Sequence, residues 1–150
     1  MFRGYNREQF IEFIDKIRSL KRPISITTDI IVGFCDETED EFQESISLTK
    51  YLKPDMVYIG IYSNRPGTYA ARKYEDNIDK KTKHNRRNEL NELLKKISYD
   101  NNQKEIGSDT VAMITTKKEV SPGVYEWSGY TENMKTIILK NESLSLEINI

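Results

Sequence analysis

Three stretches of this 150-residue chain bring together residue types that can bind or react. In the first, Ile31-Val32-Gly33-Phe34-Cys35-Asp36-Glu37, an apolar run ends in a glycine, followed by a thiol and two carboxylates. Gly33 permits a tight turn, and ligands of α/β barrels gather where strands end, so the same position also suits a binding loop. In the second, Tyr62-Ser63-Asn64-Arg65-Pro66-Gly67-Thr68, another apolar run gives way to a Pro-Gly turn that displays Arg65 just past a strand end. In the third, Tyr125, Trp127 and Tyr130 alternate with polar residues, with Lys117, Lys118, Lys135 and Lys140 nearby in sequence. Rings that stack on bases and cations that meet phosphates are the makings of a nucleic-acid surface.

Other reactive types carry less. Cys35 is the single cysteine, which excludes an intrachain disulfide framework and any iron–sulfur cluster held by this chain's thiolates alone. No His or Lys stands beside it to activate the thiol, so a structural role is expected. Asp29 lies inside an apolar run and needs a partner there; an arginine from outside the run suits it better than a site role. The basic run Lys80-Lys81-Thr82-Lys83-His84-Asn85-Arg86-Arg87 fits phosphate contacts and a solvated helix face about equally. Trp127 is expected in a small core, and Tyr130, placed in a turn, is the better stacking surface.

Bulk composition narrows the class without naming a function. Charged residues make up 31% and hydrophobic ones 37%, yet the apolar residues fall in periodic runs that fold. With 23 basic and 24 acidic residues the net charge is −1, so no global field draws in nucleic acid and any such contact is local. No apolar run reaches the roughly 18 residues of a membrane span and no signal-peptide core follows the first residues, so a cytoplasmic protein with no membrane partner is expected.

These residues need elements to hold them. Apolar positions from Arg7 to Leu20 recur at helical spacing. Past Pro23, the β-branched run Ile24 to Phe34 suits a strand buried on both faces of a parallel sheet. Thr38 with Glu41 three places on is a capping box, starting a helix that buries Phe42, Ile46, Leu48 and Leu52 and stops before Pro54. Met56 to Tyr62 is a second strand. Helix–strand alternation implies parallel strands joined by crossovers, and two strands are too few to close a core, so the segment reads as part of a larger α/β barrel. A helix from about Asp79 to Tyr99 carries Leu90, Leu93, Leu94 and Ile97 on one stripe, with its first half charged all round. Beyond Lys104 come four short runs, Thr110–Thr115, Gly123–Trp127, Thr136–Leu139 and Leu144–Ile148, separated by turn residues at Pro122-Gly123, Gly129 and Asn141; they predict a small OB-like β-barrel. The expected division is 1–100 and 104–150.

Several blocks, in order, resemble a known family. They are Met1-Phe2-Arg3-Gly4-Tyr5-Asn6-Arg7, then Ser25-Ile26-Thr27-Thr28-Asp29-Ile30-Ile31-Val32-Gly33-Phe34 with Glu37-Thr38-Glu39, then Ile61-Tyr62-Ser63-Asn64-Arg65-Pro66-Gly67-Thr68 with Ala70-Ala71, and finally Gly129-Tyr130-Thr131-Glu132-Asn133 with Lys135. Together they resemble the C-terminal part of the radical-SAM methylthiotransferases, nearest to the tRNA branch that forms 2-methylthio-N6-isopentenyladenosine. The last block looks like that of the RNA-binding TRAM domain. Blocks in the right order are more specific than any one motif.

The resemblance implies a partial TIM-like radical-SAM barrel followed by a TRAM β-domain, the C-terminal piece of a tRNA-modifying transferase. It implies S-adenosylmethionine and 4Fe-4S clusters in the parent enzyme, the cluster motif CxxxCxxC lying outside this chain. This chain alone is then expected to be inactive, with the clusters on a separate N-terminal chain if at all. It implies cofactor contacts at Ile31, Gly33, Phe34, Glu37, Tyr62 and Ser63, and contacts with a tRNA anticodon stem-loop at Arg65, Lys117, Lys118, Tyr130, Asn133 and Lys135. No catalytic or metal-binding residue is expected here. The chain departs from the family in two places. Cys35-Asp36 replaces Pro-Gly in the strand-end loop, altering its geometry, and Tyr130 replaces an arginine, exchanging a charge for an aromatic face. The alternatives are an RNA-binding protein without catalysis, and the ribosomal-protein or threonylcarbamoyladenosine branch of the same family.

Overall fold

A computed structural model describes residues 4–20 and 24–141. The expected strand Leu144–Ile148, the block residues Met1 to Arg3, Pro23 and the side chain of Lys140 lie outside the described residues. Contacts divide the chain into two units, one of Met1–Arg22 with Ile26–Ile106 and one of Pro23–Ser25 with Gly107–Ile150.

In the first unit the elements run α1 (Arg7–Arg18), β1 (Thr27–Val32), α2 (Glu39–Leu52), β2 (Met56–Ile61), α3 (Tyr69–Lys73) and α4 (Lys80–Gln103). Local chemistry explains the starts. Asn6 and Gln9 form a capping box on α1, and Thr38 and Glu41 form the expected one on α2, so each pair of side chains satisfies helix amides that have no partner within the helix. Thr68 caps α3, a short helix the sequence pattern does not announce, and Asp79 caps α4. Lys53 closes α2 in the left-handed conformation, just ahead of Pro54.

β1 and β2 pair in parallel, Thr27 opposite Met56 through Val32 opposite Ile61, as helix–strand alternation predicts. One face of this pair is packed. Val32, Phe42, Ile46 and Leu90 form the main cluster with Ile30, Ile59, Ile61 and Leu93 against it. Ile14, Ile26 and Leu52 form a second, with Phe10, Ile17 and Leu48. The other face is open among the described residues: Asp29, Ile31, Met56 and Tyr58 are all exposed.

The second unit is a three-stranded antiparallel sheet, β3 (Ala112–Ser121), β4 (Val124–Thr131) and β5 (Thr136–Asn141), in the order β3-β4-β5. β3 is longer than expected and carries Lys117 and Lys118 within it. Gly129 and Tyr130, expected in a turn, stand in β4 instead, opposite Ile114 and Met113 on β3 and Ile137 and Thr136 on β5. Gly129 is required for another reason: beside the register shift between Ile114 and Thr116, a Cβ there would collide with the backbone carbonyl of Met113.

The chain is thus mixed α/β, and neither sheet closes into a barrel among the described residues. No described helix is long and apolar enough to cross a membrane.

Candidate functional site

The C-terminal ends of β1 and β2 open on one cleft of about 1030 Å³. Its walls are Ile31 of β1 and Phe34 after it, Ile61 at the end of β2 with Tyr62, Ser63 and Arg65 after it, and Tyr69 and Tyr74 from α3 and its cap. The rings pack edge to face, Phe34 with Tyr62 at 4.9 Å and with Tyr74 at 5.8 Å between centroids. Four aromatic rings, three of them phenols, with the hydroxyls of Ser63 and Thr68 and one exposed guanidinium give an apolar slot with a few polar handles, the usual make-up of a small-molecule site. Four of the six residues expected to touch a cofactor line it: Ile31, Phe34, Tyr62 and Ser63. Arg65, expected to meet RNA, stands with them. The contribution of α3 was invisible in the sequence, because Tyr69 and Tyr74 follow no apolar period.

Gly33 and Glu37, the other two, lie behind the cleft and bind each other. The Gly33 amide donates to Glu37 Oε2 at 2.7 Å, and Arg86 Nη1 donates to the same oxygen at 2.7 Å and to the Glu37 carbonyl at 3.0 Å. Asp36 adopts φ +61, and its amide and carboxylate are both held by Asn77. From the next turn of α4, Lys83 pairs with Asp76, reaches the Tyr62 carbonyl at 3.4 Å, and lies 5.2 Å from the Tyr62 ring centroid. The Lys83 stem fills the space where a Cβ on Gly33 would stand, and Gly33 has φ +70; both facts call for glycine. Lys83 and Arg86 are buried, which corrects the reading of this half of α4 as charged all round; His84 is exposed, its Nδ1 against the Lys80 carbonyl.

Cys35 is buried, in line with a structural role. The neighbouring thiol, and burial after it, push the Tyr62 phenol above its ordinary 10. No group of three or more His, Cys, Asp or Glu side chains among the described residues is arranged to hold a metal.

On the second unit, β4 and its partners sort residues onto two faces. Trp127 is buried with half-buried Tyr125 on one face, and Lys117 lies over both rings, 4.0 Å from the Tyr125 centroid and 4.6 Å from that of Trp127. The opposite face presents Tyr130, Met113 and Ile138, all exposed, with Lys118 opposite Glu126. Asn133 and Lys135 are half-buried in and after the turn that follows β4, where the Lys135 amide donates to Thr131 Oγ1 at 3.2 Å. The structure therefore separates the basic residues expected on one RNA surface: Lys117 goes with the buried rings and Lys118 with Tyr130.

Comparison with known proteins finds no matching family model. It does find curated relatives along nearly the whole chain. The tRNA-2-methylthio-N(6)-dimethylallyladenosine synthase of Bacillus velezensis is 37% identical over 140 residues, 93% of this chain and 27% of that protein. The synthase of the same name from Christiangramia forsetii is 36% identical over 146 residues, 97% of this chain and 30% of that one. That of Bacillus subtilis is 36% identical over 140 residues, 93% and 27%. The chain spans less than a third of the length of these relatives.

Proposed function

The chain belongs to the radical-SAM methylthiotransferase family, of whose members it matches 27–30% of the length, and on that premise we propose that it forms one wall of an S-adenosylmethionine site and an RNA-binding surface for tRNA modification. The observation that carries this reading is the cleft: Ile31, Phe34, Tyr62 and Ser63, marked by two separate family-like blocks, converge on one slot at the strand ends.

The two implied cofactors fare differently when set against these residues. A 4Fe-4S cluster needs several thiolates; the chain has one cysteine, buried, so the cluster does not fit here and no step is routed through it. S-adenosylmethionine fits, since the cleft offers aromatic faces to a purine and the Ser63 hydroxyl to polar groups. Bound there, it would supply the methyl group and, cleaved by a cluster held elsewhere, the radical. Within this chain Phe34 and Tyr62 stack on the base and exclude water, Ser63 orients the ligand by hydrogen bonding, and Arg65 meets the tRNA backbone at the mouth. Gly33 and Glu37 shape the loop from behind.

The substrate in this reading is the anticodon stem-loop of a cytoplasmic tRNA carrying dimethylallyladenosine, the nucleoside in the relatives' names. Tyr130 offers a ring to an unpaired base, with Lys118 on the same face to meet phosphate and Asn133 and Lys135 in and after the turn that follows β4. Titrating the purified chain with S-adenosylmethionine, then with an anticodon stem-loop, tests both halves. Binding of both, with the first lost in Phe34→Ala, is the expected result. RNA binding without S-adenosylmethionine binding would leave an RNA-binding module and overturn the cofactor half.

A further inference from the structure

A helix with the composition of α4 would ordinarily keep its cations in water, yet Lys83 is 4% and Arg86 6% exposed. Burying two such charges is unfavourable unless each is paired and its remaining hydrogen bonds are met. Arg86 pairs with Glu37 in the loop after β1 and with Glu39 at the start of α2, its Nε alone lacking a partner, and Lys83 pairs with Asp76 in the segment leading into α4. Arg86 holds Glu37 by carboxylate and by backbone carbonyl, and the same carboxylate holds the Gly33 amide. That pins both ends of the five-residue loop in which Phe34 sits. Lys83, three residues earlier on the same helix face, reaches the backbone carbonyl of Tyr62, packs against its ring, and has its stem against Gly33. The two cations thus act on the two loops whose rings, Phe34 and Tyr62, meet edge to face in the cleft.

Ordinary packing would be served as well by apolar side chains at both places, since the Phe42 ring lies beside Arg86 and the Tyr62 ring beside Lys83. What apolar side chains would lack is direction: a guanidinium that binds the Glu37 carboxylate and carbonyl with Nη1 and the Glu39 carboxylate with Nη2 fixes the loop in a single arrangement. We infer that Lys83 and Arg86 are positioning residues, which hold Phe34 and Tyr62 in the arrangement that receives the ligand and act through Glu37 and the Tyr62 carbonyl. The inference rests on the cleft being a ligand site and names the residues that set its shape.

The test uses the full chain, with S-adenosylmethionine as the probe and Leu90→Ala as a control that destabilises the core beneath while keeping the Lys83 and Arg86 contacts to the two loops. Two properties are read: nuclear Overhauser contacts between the Phe34 and Tyr62 rings in the ligand-free chain, and affinity for the probe by calorimetry. Arg86→Met is expected to abolish the ring contact and weaken binding about tenfold or more, with Arg86→Lys restoring part of both. Glu37→Gln, which keeps shape and drops the charge, gives the same pattern if Arg86→Met does not fold. Leu90→Ala should lower the melting temperature yet leave the ring contact intact and affinity within about twofold. Retention of the ring contact in both Arg86→Met and Glu37→Gln would overturn the inference, as would an equal affinity loss in Leu90→Ala. Absence of binding by the unaltered chain would instead overturn the cofactor reading, and the ring contact alone would then decide whether these cations position the loops.

Discussion

Arg86 and Glu37 stand 49 residues apart in sequence and 2.7 Å apart in space, Nη1 to Oε2, with both side chains largely out of water. A buried pair of this kind contributes little net stability when compared with apolar residues, but removing one partner strands the other. Arg86→Met should therefore cost about 3 to 5 kcal/mol of unfolding free energy, since it leaves the Glu37 carboxylate unpaired. The double substitution Arg86→Met with Glu37→Gln should cost less than the single one. Urea unfolding of the three chains measures this, and a double variant weaker than Arg86→Met would contradict it.

Gly33→Ala places a methyl group against the Lys83 stem at a backbone position with φ +70. Two penalties follow, left-handed strain of about 1 to 2 kcal/mol and the displacement of a buried ammonium. Adding Lys83→Ala to Gly33→Ala should relieve the steric part, and strain should persist. Additive losses in melting temperature for the two substitutions would show that the methyl group and the lysine stem do not compete for the same space.

Much of this arrangement was legible where its cause is local. The capping box of Thr38 and Glu41 needs only four consecutive residues, and the parallel pairing of β1 and β2 follows from the helix between them. The buried cations were not legible, because what buries them comes from Glu37 and Asp76, outside the helix. One signal was present: Lys83 and Arg86 continue the spacing of Leu90, Leu93 and Ile97, so the two basic residues stand on the same stripe as the core leucines. Likewise Gly129 reads as a turn because glycine is common there, whereas its actual cause is a close approach of the neighbouring strand at a bulge, which involves residues on another strand. The continuous apolar run of β1 says what the strand can bury and not what covers it, and in this chain one of its faces stays open.

The helix caps predict a dependence on pH. Glu41 is held below its ordinary 4.5 by the Thr38 backbone amide and then by the Thr38 hydroxyl, and Asp79 below 3.8 by the Thr82 hydroxyl and amide. A carboxyl whose pKa is lowered by folding stabilises the fold above its unfolded value, and that contribution disappears as pH falls through the folded value. Stability should hold steady near neutrality and decline as pH falls below the ordinary carboxylate range, with α2 and α4 fraying from their first turns. Carbon-detected titration of the two carboxyls checks the direction; a Glu41 that titrates at or above 4.5 would contradict it.

On the second unit, Tyr130→Ala should weaken binding of an anticodon stem-loop by about 1 to 3 kcal/mol if a base stacks on that ring. Lys118→Ala should instead flatten the dependence of binding on salt, as the loss of a phosphate contact does. Trp127→Ala should act by unfolding the sheet. Fluorescence anisotropy at several salt concentrations separates the three, and an unchanged affinity in Tyr130→Ala would remove the exposed face of β4 from the RNA surface.

The most direct test of the whole account is a graft. In the Bacillus subtilis relative, the matched segment, 27% of that protein, is replaced by this chain, and the nucleosides of tRNA are measured by mass spectrometry in cells lacking the native enzyme. The account predicts that 2-methylthio-N6-dimethylallyladenosine is formed and that Phe34→Ala in the graft abolishes it. A folded, cluster-loaded graft that leaves N6-dimethylallyladenosine unmodified would contradict the claim that this chain carries a working cofactor wall and tRNA surface.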